Sequence, residues 1–204
     1  MTGPSALTFA AIRGEGRVGE TVPVALGIES DVQLLALARE DAHQAVEIVY
    51  SAYKLRVYTF LLRFTADPDL SDDIVQETFT KALSALPGLP RDQRILPWLY
   101  RVAHNAAIDH FRRRQRFVWI RLPKLAGTRH EKARDGDEHA LPEREHIQNV
   151  LKTLPPQNAA ALLLHALEGY SYKEIAEIQG CSMTAVRSRI ARAREAFREE
   201  YATN

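Results

Sequence analysis

Residues 169–194 constrain the fold of this chain more than any other segment. Ile175 and Ile178 give a short helix an apolar side, and Gly180 can adopt the positive φ that a sharp turn needs. Ser182 is a good N-cap for a second helix just after this turn. The pattern therefore predicts two helices joined by a tight turn, the helix-turn-helix arrangement.

The second helix of this segment has an apolar side and a polar side. Apolar residues at three-to-four spacing are expected to face the core: Val186, Ile190, Ala193 and Phe197. The outer side then carries Thr184, Arg187, Ser188, Ala191 and Arg192. An arginine-rich outer side on a helix that follows such a turn favours insertion into a DNA major groove over a merely solvated surface.

Charge and cysteine content narrow the class of protein. The net charge is only +1, but basic residues crowd 101–121 and 187–198, whereas acidic residues crowd 67–77, so local fields matter more than the total. Cys181 is the only cysteine, and we expect it to be a buried structural thiol in the turn. Because no basic-then-apolar leader or long apolar run is present, we expect a soluble cytoplasmic protein without membrane insertion.

Periodicity predicts an all-α fold with two small helical domains. The expected parts are a flexible arm at 1–30, a four-helix domain at 31–116, a linker at 117–140 and a helix-turn-helix domain at 141–204. The Gly- and Pro-rich composition of the arm and the Pro, Gly and charge content of the linker support this division.

Helix boundaries follow from caps and breakers. In the first domain we expect helices from about Ala42 to Phe64, with Tyr50 on the inward side, from Asp72 to Ala85, capped by Ser71, and from about Ile95 to Arg116. The residues 86–92 between the last two helices are expected to form a loop. In the second domain, helices are expected at 147–154 and 158–168, before the helix-turn-helix.

The last helix of the first domain carries a mixed polar stripe. Its members, at three-to-four spacing, are Trp98, Arg101, Asn105, Asp109 and Arg112. Such a stripe suits single-stranded DNA, because aromatic rings stack on unpaired bases and arginines follow phosphates. The opposing interpretation, that Trp98 belongs to the core and the arginines are solvated, is equally favoured for Trp98 taken alone.

Two other patterns suggest chemistry that their surroundings do not support. Residues 14–19 match the G-x-G-x-x-G pattern of dinucleotide sites, which would make the chain a nucleotide-dependent enzyme, but Pro23 follows and no alternation of strands and helices surrounds it. His130 and His139 lie near acidic residues but lack the spacing of metal ligands. We therefore expect no cofactor, no metal and no enzymatic activity.

Several segments together resemble a known family. They are Asp72-Asp-Ile-Val-Gln-Glu-Thr-Phe79, Trp98-Leu-Tyr-Arg-Val-Ala-His-Asn-Ala-Ala-Ile-Asp-His-Phe-Arg-Arg-Arg114, Leu154-Pro-Pro156, Leu167-Glu-Gly-Tyr-Ser-Tyr-Lys-Glu-Ile-Ala176 and Val186-Arg-Ser-Arg-Ile-Ala-Arg-Ala-Arg194. In order and spacing, across about residues 31–201, the chain resembles the extracytoplasmic-function (ECF) sigma factors. The resemblance implies a promoter-specificity subunit of bacterial RNA polymerase.

The resemblance also implies which residues act. The clamp helices of the largest polymerase subunit would be held by Asp73, Gln76 and Glu77. The −10 element would be opened by the 86–94 loop and the helix carrying Trp98, Arg101, Asn105, Asp109, Arg112 and Arg113. The second domain would dock on the β-subunit flap and read the −35 element with His165, Tyr172, Lys173, Arg187, Ser188, Ala191 and Arg192. An anti-sigma factor is the expected regulator.

The chain departs from the family pattern at three positions. Arginine is usual where this chain has His165 and frequent where it has Ala159, and leucine is common where it has Gln179. The alternative interpretation is a stand-alone helix-turn-helix regulator that binds operators without polymerase and uses residues 31–116 for sensing or dimerisation.

Overall fold

The structure, a computed structural model, describes the backbone of residues 30–120 and 141–203 and the side chains of 30–114 and 146–199. The described part is all-α, with eight α-helices and no strand, as predicted. Residues 1–29 of the predicted arm, with the G-x-G-x-x-G pattern at 14–19, lie outside the described residues, and so does the 121–140 part of the predicted linker, with His130 and His139. The division into domains stays a prediction.

Four helices and a short 3₁₀ turn make up the first helical group. They are α1 (Asp31–Glu40), α2 (Ala42–Thr65), α3 (Pro68–Ala85), the 3₁₀ turn Leu86–Gly88, and α4 (Ile95–Ile120). Ser30 and Asp41 cap α1 and α2, because their side-chain oxygens accept from the backbone amides of Gln33 and Gln44. The expected start of α2 is thus confirmed. The predicted 86–92 loop contains the 3₁₀ turn. Helix α4 ends at Ile120, four residues past its predicted end near Arg116.

The predicted start of α3 was wrong. The helix begins at Pro68 rather than Asp72, and its N-cap is Asp67, whose Oδ1 accepts from the Leu70 amide at 3.1 Å. Proline is suited to the first helical position, where its missing N–H would have no partner. Ser71 lies buried inside the first turn instead of capping it, and its Oγ donates to the Asp67 carbonyl oxygen at 2.7 Å.

Aromatic rings hold α2 against α4. Phe60 packs edge-on against Tyr100, with 5.2 Å between ring centroids, and Phe64 packs edge-on against Phe111 at 5.3 Å. Such pairs add about 0.5–1.5 kcal/mol each beyond the area they bury. The periodicity predicted Tyr50 on the inward side of α2, and this was wrong: Tyr50 is 37% exposed, and its ring contacts the Phe79 ring at 4.9 Å between centroids.

The second helical group comprises α5 (Leu141–Thr153), α6 (Pro156–Ala166), α7 (Tyr172–Gln179) and α8 (Met183–Thr203). The first two begin earlier than predicted, and α6 again starts on a proline, at Pro156. The core of this group consists of the buried side of α6 together with the apolar residues predicted for the last helix: Val186, Ile190, Ala193 and Phe197. These four residues are at most 4% exposed, which confirms the predicted orientation of α8.

The two helical groups are packed against each other in this structure. Helix α4 lies against α7, and both α2 and α4 contact α6. The guanidinium of Arg56 on α2 is 2.7 Å from the Glu168 carboxylate, and that of Arg94, just before α4, is 2.6 Å from Glu174 on α7. The helix predicted to bind unpaired bases therefore faces the helix-turn-helix.

The turn glycine gives the first testable prediction. Gly180 has φ +61° and open space where a Cβ would lie, so alanine there would be strained by the backbone and not by a clash. We expect Gly180→Ala to destabilise the protein by about 1 kcal/mol, which lowers Tm by about 2–4 °C. Gly88→Ala is the control, because Gly88 also has open space but no positive φ. Equal Tm values for the two variants, measured by circular dichroism, would contradict this explanation.

Candidate nucleic-acid interface

The helix-turn-helix is fixed by local hydrogen bonds. Ser171 caps α7: its Oγ accepts from the Glu174 amide at 3.3 Å, while a Glu174 carboxylate oxygen accepts from the Ser171 amide at 2.8 Å. This reciprocal capping box satisfies amide donors at the helix start. At the other end, Gly180 adopts the left-handed conformation, and Ser182 Oγ accepts from the Ala185 amide at 3.2 Å to begin α8. The turn chemistry predicted for Gly180 and Ser182 is confirmed.

The outer side of α8 is available to a ligand. Arg187, Ala191 and Arg192 are exposed, whereas Ser188 is half-buried. Buried Val186 and Ile190 lie on the opposite side and fix the rotation of the helix against α6. Two guanidinium groups thus project from one exposed surface, which suits contacts to base edges or phosphates.

The other residues predicted for duplex contact lie at the start of α7 and the end of α6. Lys173 is exposed, and the ring of half-buried Tyr172 is tilted against the imidazole of His165 at 5.1 Å between centroids. His165 Nδ1 lies 2.9 Å from the Tyr170 carbonyl oxygen, which can only accept, so Nδ1 carries the proton. The ring is thereby held in one orientation beside Tyr172.

Gln179 and Arg189 form an anchor that sequence reasoning missed. Arg189 Nη1 donates to Gln179 Oε1 at 2.6 Å and lies 3.2 Å from Cys181 Sγ, while Gln179 Nε2 donates to the Gln157 carbonyl oxygen at 3.0 Å. Where leucine is common in the family pattern, this chain links α6, α7 and α8 by polar contacts. Cys181 packs against the core as predicted for a structural residue of the turn, but it is half-buried rather than buried, and it contacts a guanidinium.

The predicted single-strand stripe lies on the surface of α4. Arg101, Asn105, Asp109, Arg112 and Arg113 are all exposed. Asp109 and Arg112 form an ion pair at 3.6 Å, which offsets part of the positive charge. Trp98 is half-buried and packs against the core, so its ring has both a structural contact and an accessible part.

His104 lies beside this stripe but was not singled out in the sequence. It is 4% exposed, and its ring stacks on Phe64 with 6.2 Å between centroids. Burial lowers the pKa of His104 to about 4, and nearby Arg189 and Arg112 act in the same direction. The imidazole is therefore neutral at pH 7. The three-to-four spacing of the stripe identified the neighbouring Asn105 as a candidate. It could not identify His104, because His104 lies on the buried, otherwise apolar side of α4.

The acidic surface predicted for polymerase contact lies on α3. Asp73 and Gln76 are exposed, and Glu77 forms an ion pair with Lys81 at 2.6 Å. A groove between α2 and α3 adjoins this surface and is lined by Tyr50 and Gln76, among others. The structure thus places the three predicted residues on one side of α3, with Asp73 about one helical turn before Gln76 and Glu77.

Two clefts lie between α4 and the helix-turn-helix. Arg101 and Lys173 line one of them, and Asn105, Asp109 and Arg112 face the turn of the helix-turn-helix across the other. No cluster of three or more metal-ligating side chains occurs among the described residues. None of the helices in the described part of the chain is long and apolar enough to cross a membrane.

Comparison with known proteins decides the family. The family model for Sigma-70 region 2 matches residues 49–117, and the one for Sigma-70, region 4 matches residues 144–197. The chain is 33% identical over 182 residues to the RNA polymerase sigma-H factor of Pseudomonas aeruginosa, covering 83% of this chain and 92% of that protein. It is 31% identical over 156 residues to the ECF RNA polymerase sigma factor SigM of Bacillus subtilis, covering 76% and 94%.

The chain belongs to the ECF sigma factors. It is a transcription initiation factor that acts with core RNA polymerase on promoter DNA. The matched region 2 spans most of α2 to α4, and the matched region 4 spans most of α5 to α8.

Two solved structures share the fold of this sigma factor. One, described as "Structure of CnrH in complex with the cytosolic domain of CnrY", matches with a TM-score of 0.65 at 24% identity and covers 85% of this chain and 98% of that one. The other, the sigma factor RpoE of Bartonella quintana in complex with the anti-sigma factor NepR, matches with a TM-score of 0.61 at 22% identity and covers 81% and 99%.

The Glu174 carboxylate gives a prediction about pH. Partial burial acts to raise its pKa, but hydrogen bonds from Ser171 and Arg94 outweigh burial and lower the pKa from 4.5 to about 2. Because the folded state favours the charged form, this stabilisation is complete above pH 4.5 and is lost as pH falls towards 2. We expect the urea midpoint of the Glu174→Gln variant to fall less than that of the parent protein between pH 4.5 and pH 2.

The control for this pH experiment is Glu177→Gln, which neutralises an exposed carboxylate on the same helix. This variant should keep the acid-induced decline of the parent. If Glu174→Gln and the parent lost stability in parallel between pH 4.5 and 2, the hydrogen bonds of Glu174 would not stabilise its ionised form.

Proposed function

We propose that this sigma factor reads the −35 element with α7 and α8 and opens the −10 element with α4. The single observation that supports this most strongly is that each helical group exposes one polar, arginine-bearing helix surface. On α8 the surface is held by the Arg189 to Gln179 anchor, which suits the reading of a rigid duplex. On α4 the stripe combines the accessible part of Trp98 with Arg101 and Asn105, which suits unpaired bases and their phosphates.

We further propose that Asp73, Gln76 and Glu77 hold the clamp helices of the largest polymerase subunit and that the second domain docks on the β-subunit flap. The exposed acidic side of α3 supports the first contact, because it offers carboxylates to a basic partner. We expect the protein to act in the cytoplasm, without a cofactor and without catalytic activity of its own. The solved relative bound to an anti-sigma factor supports regulation by such a partner.

The proposed function requires core polymerase to set the distance between the two helical groups. Reading a duplex at one element and unpaired bases at another requires the two helical groups to be held at a fixed separation. We therefore expect association with core polymerase to precede specific promoter binding. Co-purification of the tagged protein with core polymerase tests the assignment, and absence of a stable complex would favour the stand-alone regulator.

The acidic surface on α3 gives a prediction about assembly. We expect the double variant Asp73→Lys with Gln76→Ala to bind core polymerase about tenfold more weakly, because a lysine replaces a carboxylate at the contact. Both side chains are exposed, so thermal stability should stay close to that of the parent. Affinity can be measured by fluorescence anisotropy of the labelled sigma factor.

Glu40→Lys is the matched control for assembly, because it makes the same charge change at an exposed position on α1. It should bind core polymerase like the parent. Unchanged affinity of the double variant would exclude this side of α3 as the clamp contact.

The arginines of α8 give a prediction about promoter preference. Removing a base-reading arginine should cost about 1–3 kcal/mol and relax preference at one position, whereas removing a phosphate contact should weaken binding to all sequences. We expect at least one of Arg187→Ala and Arg192→Ala to show the first behaviour with holoenzyme and a panel of −35 substitutions.

Arg198→Ala is the control for this panel, because Arg198 is exposed on the same helix and is paired with Glu195 at 3.0 Å. It should leave the preference unchanged. If Arg187→Ala and Arg192→Ala both preserved affinity and −35 preference, α8 would not be the reading helix.

A further inference from the structure

Helix α1 is hydrogen-bonded at two points to the segment that joins α3 to α4. This segment is the 86–94 loop, which begins with the 3₁₀ turn. Arg39, near the end of α1, contacts Leu89 inside the loop, and Asp31, at the start of α1, contacts Ile95 directly after it. One short helix therefore holds the loop both near its middle and at its end.

The Arg39 guanidinium connects α1 to the middle of the loop. Its Nη1 donates to the Leu35 carbonyl oxygen on α1, and its Nη2 donates to the Leu89 carbonyl oxygen at 2.6 Å. Because a guanidinium is planar and its donors form a rigid fork, the bond to Leu35 fixes the direction of the bond to Leu89. The loop backbone is thereby held at a set position relative to α1.

The Asp31 carboxylate fixes the point at which the loop ends and α4 begins. Its Oδ2 accepts from the amide of Ile95, the first residue of α4, at 3.0 Å. The first amides of a helix have no acceptor within the helix, so an acceptor from another element satisfies one of them. A negative charge is also favoured at a helix N-terminus. Because Trp98 follows one turn later, Asp31 helps to place the polar stripe as well as the loop.

The exposed tip of the loop lies between these two contacts. Leu86 is buried, and the Leu89 amide donates to the Leu86 carbonyl oxygen at 3.2 Å, which closes the first turn of the loop. Arg91 and Asp92 follow and are exposed. The turn bond shapes the loop locally, whereas the two bonds from α1 set its direction relative to the stripe on α4.

We propose that Asp31 and Arg39 are positioning residues for promoter melting, which hold the 86–94 loop in the conformation that takes up an unpaired base of the −10 element. This inference rests on the proposed function of α4 and of the loop before it. Ordering a mobile loop during base capture would cost conformational entropy, so a loop that is already fixed captures the base more effectively. Asp31 and Arg39 act through the loop and need not touch DNA.

The test uses holoenzyme assembled from core polymerase and the full-length chain, on a promoter found by run-off transcription and labelled with 2-aminopurine in the −10 element. Arg39→Met removes the donors but keeps an unbranched side chain, and Asp31→Ala removes the acceptor. Glu40→Gln is the control, because Glu40 is exposed on α1 next to Arg39. Asp31→Asn is the rescue variant, since an amide oxygen can still accept from Ile95.

We expect Arg39→Met and Asp31→Ala to slow the increase in 2-aminopurine fluorescence about tenfold and to discriminate less among −10 base substitutions, because a displaced loop contacts the base poorly. Affinity for core polymerase and −35 preference should equal those of the parent, since those contacts are proposed for other helices. Glu40→Gln should match the parent throughout, and Asp31→Asn should recover most of the melting rate.

Equal melting rates and −10 preferences for Arg39→Met, Asp31→Ala and Glu40→Gln would overturn the proposal. A parallel loss of core affinity, −35 preference and melting in Arg39→Met would also overturn it, because α1 would then only stabilise the first helical group. Arg39 is exposed, so Arg39→Met should fold like the parent and decides the matter even if Asp31→Ala does not fold.

Failure of the proposed function would give a different result. The double variant Trp98→Ala with Arg91→Ala changes the proposed −10 surface itself. If this double variant melted the promoter as fast as the parent, the assignment of that surface would be wrong. If it melted the promoter slowly while Arg39→Met and Asp31→Ala behaved like the parent, only the role of α1 would be wrong.

Discussion

The rest of the structure depends on the two-sided character of helix α4. Its buried side, with Leu99 and Tyr100 at 0% exposure, completes the core of the first helical group. Its exposed side carries the polar stripe that includes Arg101 and Asn105. Because a helix that is anchored on one side cannot rotate, the stripe is presented in a fixed direction, which suits its proposed contact with unpaired bases. The same rigidity lets Tyr100 carry the contact with Tyr170 of the second group.

In the second helical group, polar contacts fix the orientation of the helix-turn-helix. Gln179 and Arg189 connect the turn to α6 and α8, and the capping box of Ser171 and Glu174 fixes the start of α7. Glu174 therefore has two roles: it holds the helix start and it pairs with Arg94 of the first group. The same carboxylate thus takes part both in the contact between the helical groups and in the start of α7.

The sequence predicted most of the features that depend on neighbouring residues, although not the start of α3, and it missed contacts between distant residues. Gly180 and Ser182 fixed the turn correctly because positive φ and N-capping are local properties. The start of α3 was misplaced because Ser71 and Asp67 are both good caps, and Pro68 after Asp67 is a good first helical residue. The pair of Arg56 and Glu168 joins positions 112 residues apart, a contact that no periodicity encodes.

The most direct test of the central claim is run-off transcription on fragmented genomic DNA with core polymerase and the purified chain. If the chain reads both elements, the reaction should give discrete transcripts that begin at a fixed distance downstream of shared −35 and −10 sequences. These transcripts should disappear when the chain is omitted. Transcripts indistinguishable from those of core polymerase alone would contradict the account, because the chain would then bind DNA or polymerase without directing initiation.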